Sequence, residues 1–276
     1  MLAAARGGTL LRAGRGLGVP LPTRRGPGLS LHIAALPDLP EVRPGDDLGA
    51  LLADAAPADL APTDVVVVAH KVVSKAEGRL RRLAEVEPGE RARELARDPE
   101  KDPRLVQVVL DETEELLRAE RGVLICVTRH GFVCANAGVD ASNVPEGEVV
   151  MLPLDPDGSA RTLRARIGEL LGVRPAVIVT DSFGRAWRVG QTDVAIGTAG
   201  IVPVDDWRGR SDSAGRELRA TAIAVADSVA GAADLARAKD SRRPAVLVRG
   251  LGHLVTEEDG PGAAPLRRER HQDLFR

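Results

Sequence analysis

Three runs of apolar, largely β-branched residues set the strongest limit on how this chain can fold: Asp64 to Ala69 (DVVVVA), Pro175 to Thr180 (PAVIVT) and Pro244 to Val248 (PAVLV). None alternates with polar residues, so each reads as a strand buried on both faces of a sheet that helices cover. The segments between them carry helical period or turn chemistry. Apolar spacing and capping residues predict a short helix entered at Gly45 to Asp47, then helices over Glu90 to Arg97, Arg104 to Ala119, Ser159 to Leu171 and the Ala-rich Glu217 to Ala238. A short strand is expected near Leu31 and another at Val149 to Leu152. The class is α/β in the broad sense of mixed α+β, with mixed sheets and flanking helices. At 276 residues, one elaborated domain and a two-lobed arrangement both stay open.

Aromatic residues make up only 2% of the chain, so Val, Leu, Ile and Ala must fill the core. A formal net charge of -2 creates no global field to hold nucleic acid or an anionic membrane, which favours small-molecule chemistry. No stretch approaches the ~18 apolar residues that span a bilayer. The segment VLICVTRHGFVCAN reads as two strands joined by a tight turn around His130 and Gly131, so that Cys126 and Cys134 face one another. As the only two cysteines, they are expected to be buried thiols of a reducing compartment.

Residues 1–30 carry Arg6, Arg12, Arg15, Arg24 and Arg25 among frequent Gly and Pro, and are expected to form a loosely attached extension. Residues 31–255 form the expected domain, and residues 256–276, rich in Gly, Pro and charge, a polar loop or mobile tail.

The sequence has no G-x-x-x-x-G-K-[ST] run, no G-x-G-x-x-G between strand and helix, no H-E-x-x-H, no C-x-x-C and no G-x-S-x-G. Two polar segments remain. In NAGVDASNV, Asp140 and Asn143 offer hard oxygens three positions apart, which suits magnesium or manganese, although an idle turn has the same composition. In TDSFGRAWRVGQTD, Asp181 and Ser182 follow a buried strand, where α/β sheets bind ligands, and Arg185 and Arg188 have the fork geometry that clamps carboxylate or phosphate. The plain alternative there is a helix cap at Asp181 with surface arginines. Lys71 and Lys75, four apart after a strand, share a face if helical; they suit a phosphate chain or simply solvent.

Together, LPEVRPGDDL, VVVVAHKVVSKAEGR, NAGVDASNV, TDSFGRAWRVGQTDVAIG and AVLVRG resemble the coenzyme F420-0:L-glutamate ligase family over Leu31 to Gly250. The similarity is to the ligase half of two-domain actinobacterial members, and the flavin domain those carry downstream is not expected here. The resemblance implies a two-lobed mixed fold, a homodimer, and a cytoplasmic enzyme that joins L-glutamate to coenzyme F420-0 with GTP. It also implies two divalent cations, Mn2+ or Mg2+, with K+ as an added helper. By position, it implies GTP contacts at Leu39, Pro40, Glu41, Val42, His70, Lys75 and Asn143, and metal ligands at Asp140, Asp181 and Ser182. Catalysis would rest on Asp140, Asp181 and Lys75, through an acyl phosphate. His70 departs from the small hydroxyl residue common in the family, and Lys239 stands near a position where some members place a Gln ligand. Two rivals stay open: a non-catalytic nucleotide- or deazaflavin-binding module, and a ligase of this fold acting on another carboxylate.

Overall fold

The three β-branched runs lie in one sheet. The computed structural model describes residues 30–97, 101–238 and 240–275, so the basic extension up to residue 29 and Lys239 lie outside the described residues. In chain order the elements are β1 (His32–Ala35), α1 (Leu48–Ala55), β2 (Val65–Ala69), α2 (His70–Ala76), β3 (Leu80–Arg82), α3 (Glu90–Leu95), α4 (Pro103–Asp111), β4 (Thr113–Glu120), β5 (Val123–Thr128) and β6 (Val133–Ala135). There follow β7 (Glu148–Val150), α5 (Pro156–Leu171), β8 (Ala176–Arg185), β9 (Arg188–Ala199), β10 (Val204–Asp206), β11 (Ala222–Ala224), α6 (Val225–Ala236) and β12 (Ala245–Arg249).

The main sheet has the order β1-β12-β2-β8-β9. Its centre is the parallel pair of β2 and β8, and the other neighbours run antiparallel. Period-two alternation sends Val66, Val68, Val177 and Val179 into a core with α1 and α5. The intervening Val65, Val67, Ala176 and Ile178 face a second core with α6. Both faces are covered, which is why the runs show no polar alternation.

A smaller lobe has its own core. The sheet β4-β5-β6 packs with α3 and α4 around Val106, Val109, Leu124, Cys126 and Val149, so the two-lobed expectation agrees with the separation of apolar clusters. Cys126 and Cys134 are register partners, both buried and both free.

Three expectations need correction. The helix expected over Arg104 to Ala119 stops at Asp111, and Thr113–Glu120 is strand β4, paired with β5. Buried Glu112 sits at the break, bound by Arg79 at 2.8 Å and Arg129 at 3.1 Å, and the strand pairing that follows outweighs helix propensity. The helix expected from Glu217 begins only at Val225. Upstream, Leu218 donates to the Arg210 carbonyl, the Thr221 carbonyl accepts from Trp207, and Ala222–Ala224 pairs with β10, so these groups serve a hairpin instead of a helix. Lastly, the strand expected to end at Thr180 continues to Arg185, which makes Asp181 a mid-strand residue.

The C-terminal segment is irregular, as its composition predicts, but it is docked. Arg164 holds Asp259 at 2.6 Å, Asp157 accepts from the backbone N–H of fully buried Ala263 at 2.8 Å, and Arg270 pairs with Glu115 at 2.5 Å.

Candidate active site

Strand β2 runs straight into α2, so the buried valines fix where the first turn of that helix stands. Two consecutive residues of the turn each meet an aspartate. His70 places Nε2 3.2 Å from Asp181 Oδ1, and Lys71 donates from Nζ to Asp140 Oδ2 at 2.7 Å. One turn later, Lys75 donates to Glu41 Oε1 at 2.5 Å. Thus Asp140 and Asp181, 41 positions apart in sequence, converge on one helical turn.

The two aspartates are held differently. Asp140 exchanges backbone hydrogen bonds with Val150 at 3.0 and 2.8 Å, which ties its loop to β7. Its Oδ1 accepts from the Ser142 N–H at 2.6 Å, while Lys71 also donates to Ser142 Oγ at 2.5 Å. Burial works to raise the Asp140 carboxyl, but the Lys71 ammonium and the Ser142 N–H together outweigh it and hold the group below the ordinary carboxylate range. The loop is conformationally unusual: Asn136, Ala137 and Asn143 have φ of 51°, 51° and 60°, a left-handed region that non-glycine residues adopt at some cost.

Asp181 stands on β8 opposite Val194 of β9, and its neighbour Ser182 stands opposite Asp193. The Asp181 side chain keeps 14% of its surface accessible, whereas His70 beside it keeps 2%. The His70 ring has Ser74 Oγ 3.4 Å from Nδ1, and its buried Nε2 approaches Asp181 without a well-formed hydrogen bond. Cys134 lies near the same aspartate; burial first, and then the charge of Asp181, push its thiol up to about 12, which leaves it inert as a nucleophile.

The expected GTP contacts are distributed as follows. Leu39 and Val42 are buried in the main core, and Pro40 and Glu41 are exposed on the same segment. Glu41 is tied to Lys75, and the Gly45 N–H donates to the Ala76 carbonyl at 2.8 Å, so the segment is fastened along α2. Asn143 is exposed on the Asp140 loop, and His70 is turned inward to Asp181 and Ser74. Arg185 and Arg188 stand apart from this group. They pair with each other at the end of the β8–β9 hairpin, about 13 Å beyond Asp181 at ~3.3 Å per residue. The Arg185 guanidinium donates to the Val189 carbonyl at 2.6 Å and so closes its own turn.

Asp140, Asp181 and Ser182 are hard oxygen donors suited to Mg2+ or Mn2+. Among the described residues no three His, Cys, Asp or Glu side chains come together as a ligand set. A cation at these oxygens would have to take most of its shell from phosphate and water. Lys71 and His70 already place cationic or hydrogen-bonding groups against both carboxylates, which marks the spot as one built around negative charge.

Sequence reasoning missed what lies behind Ser182. The Ser182 hydroxyl donates to Asp193 Oδ1 at 2.6 Å, and the Thr180 hydroxyl donates to Asp193 Oδ2 at 2.7 Å. Arg237 donates to the same Oδ2 and to Thr180 Oγ1. No local signal in the motif announces that the chain folds back at Arg185 to Arg188 and so brings Asp193 opposite Ser182.

Comparison with known proteins covers most of the chain. The profile of the F420-0:Gamma-glutamyl ligase family matches residues 38–250. The chain is 47% identical over 249 residues to a coenzyme F420:L-glutamate ligase of Methanopyrus kandleri, an alignment covering 90% of this chain and 98% of that protein. It is 44% identical over 253 residues to the protein of that name from Haloarcula marismortui, covering 89% and 96%. Against the one from Methanothermobacter thermautotrophicus it is 42% identical over 254 residues, covering 90% and 100%. Among the described residues no helix is long and apolar enough to cross a membrane.

Proposed function

This chain belongs to the F420-0:Gamma-glutamyl ligase family, and from that footing we propose that it joins L-glutamate to coenzyme F420-0 through an amide bond, with GTP as co-substrate and divalent cations at its aspartates. The observation that carries this reading is the convergence of Asp140 and Asp181 on His70 and Lys71, consecutive residues of one helical turn. The names of the similar proteins support the reaction, and the hard-oxygen chemistry of the site supports the cations.

Asp140, Asp181 and Ser182 hold the cations, with Mn2+ or Mg2+ supplying charge neutralisation for the terminal phosphates. Pro40, Glu41 and Asn143 offer exposed contacts for GTP, and the buried Leu39 and Val42 meet it only through their backbone. Lys75 offsets charge on the phosphoryl group in transit, and Lys71, at the loop of Asp140, is placed for the same work. A carboxylate of F420-0 attacks the γ-phosphorus and GDP departs, which leaves an acyl phosphate. The α-amino nitrogen of glutamate then attacks the acyl carbon, loses a proton to solvent, and releases inorganic phosphate. Because His70 is buried against Asp181, its part is to orient that carboxylate. Arg185 and Arg188 serve the outer, anionic part of the substrate.

The working form is a homodimer in the cytoplasm, with K+ as an auxiliary ion. Trp187 and Val189, 78% and 98% accessible at the tip of the β8–β9 hairpin, supply apolar surface of the kind that association covers. The deciding experiment incubates purified protein with GTP, Mn2+, L-glutamate and F420-0. A mass gain of one glutamyl residue with equal GDP and phosphate supports the proposal. GTP binding without any mass gain would turn the reading toward a non-catalytic module, and glutamyl transfer to a different acid would move the substrate.

A further inference from the structure

Beyond its anchors at Asp259 and Ala263, the C-terminal segment touches the body of the protein in succession. The Arg267 guanidinium lies over the Phe132 ring, 5.5 Å from the centroid, Arg270 pairs with Glu115 of β4, and the Phe275 ring meets Trp187 of the β8–β9 hairpin at 5.7 Å. These tail residues fall outside the stretch 38–250 that the family profile matches. Phe132 links the first of them to the candidate active site. Its ring meets that of Phe183 edge-on, with centroids 6.2 Å apart and planes at 77°. Phe183 follows Asp181 by two on β8, so period two sets both side chains on the sheet face that α2 meets. Two aromatic rings thus separate Arg267 from Asp181, and His130, stacked on Phe132 at 5.6 Å, steadies the ring on which the guanidinium rests.

An arginine that gives up part of its water to lie on a ring is ordinarily matched by a carboxylate. Arg267 is half-buried, and among the described residues its guanidinium forms neither an ion pair nor a hydrogen bond. Nearby acids face other cationic groups: Glu115 is held by Arg270, and Glu269 stands 3.2 Å from His271. The N–H donors of the Arg267 fork are therefore left for a ligand, and their geometry matches an oxyanion. We infer that Arg267 is a substrate-binding residue whose fork takes an oxyanion, phosphate or carboxylate, of the F420-0 that reaches Asp181. The contact with Phe132 holds the fork ready without neutralising it. The inference rests on the proposed ligation and deepens it by naming a residue that reads the acid substrate.

The alternative is that Arg267 only covers Phe132 with its aliphatic stem and so docks the tail. Two substitutions separate these roles. R267M keeps an apolar cover on the ring and removes the charge, whereas R267K keeps the charge and removes the planar fork. The test measures F420-0 binding to the full chain by equilibrium dialysis, and the KM for GTP and for glutamate in the glutamyl-transfer assay, for wild type and both variants. Circular dichroism checks folding, and R267Q takes the place of R267M if that variant does not fold.

The expected result is about tenfold weaker F420-0 binding for R267M and about threefold for R267K, with the KM for GTP and for glutamate within about twofold of wild type. Added salt should weaken F420-0 binding to wild type and R267K more than to R267M, because only the first two keep the charge. R267M with wild-type affinity for F420-0 overturns the inference, since cover of Phe132 would then be all that Arg267 supplies. So does R267K that binds no better than R267M, and so does a loss shared equally by GTP and glutamate. Wild-type protein that binds no F420-0 overturns both this inference and the ligase reading beneath it, whereas unchanged affinity in R267M overturns this inference alone.

Discussion

Asp181 and Asp140 meet the same helical turn, yet one is built into the stiffest part of the molecule and the other hangs on one of its least regular loops. Asp181 sits mid-strand on β8, whose preceding residues Ala176 to Thr180 are at most 1% exposed. Asp140 follows a turn with successive positive φ angles, and its side chain is 43% accessible. Its position is set by one bridge to Val150, an internal turn to Ser142 and an ion pair to Lys71. The difference teaches that the site has a fixed half and an adjustable half. On the proposed reading, the fixed carboxylate would define where charge gathers, and the loop-borne one would adjust to the phosphate chain.

The sharpest way to test that division is Asp181→Asn, which keeps size but removes charge from the fixed half and replaces one acceptor oxygen by an N–H donor. Glutamyl transfer is expected to fall on the order of 10^3-fold, about 4 kcal/mol of transition-state stabilisation. The thermal midpoint should stay close to wild type, and near-normal turnover would break the comparison at its stronger end. The stiffness itself is tested next by Gly197→Ala. A Cβ on Gly197 of β9 would fall on the backbone carbonyl group of Pro156 at the start of α5, so the sheet and helix would have to separate. About 3 kcal/mol of stability should be lost, read from the urea midpoint, and a variant as stable as wild type would show that this half yields more easily than its packing indicates. Asp140→Asn comes third. Water and phosphate oxygens can partly substitute on a half-open loop, so the expected loss of transfer is about 10^2-fold, or about 2.7 kcal/mol. A loss exceeding that of Asp181→Asn would invert the ranking.

The same contrast governs what could be read from the sequence. Val65–Ala69 and Ala245–Arg249 were legible because a strand buried on both faces has a composition of its own. Asp140, Asp181 and Ser182 were singled out as ligands by the family resemblance, since an idle turn has the composition of NAGVDASNV. Thr113–Glu120 was not legible as a strand: Leu116 and Leu117 fit a helical face, and only the distant β5 reveals the pairing. Asp193 was quoted within its motif but had no assigned part, since nothing local says that the chain turns back at Arg185 and sets residue 193 against Ser182. Likewise, no local signal shows that His70 faces inward; that follows from where β2 delivers the first turn of α2.

The smallest effect concerns the proton on the adjustable half. The Asp140 carboxyl titrates below its ordinary value in the folded chain because Lys71 and the Ser142 N–H outweigh burial. A group whose folded value is depressed adds stability above its unfolded value, about 3.9, and loses that contribution as pH falls through the folded value. The thermal midpoints of wild type and Asp140→Asn should therefore differ by a constant amount from pH 7 down to about 5, then converge in more acidic solution. Solvent reaches 43% of this side chain, so screening keeps the contribution under about 1 kcal/mol. Salt should shrink it further, because the Lys71 pair is only partly shielded from ions. A gap between the two proteins that widens on acidification would mean that burial dominates at Asp140 after all, and the loop would then be as much a part of the fixed interior as the strand that carries Asp181.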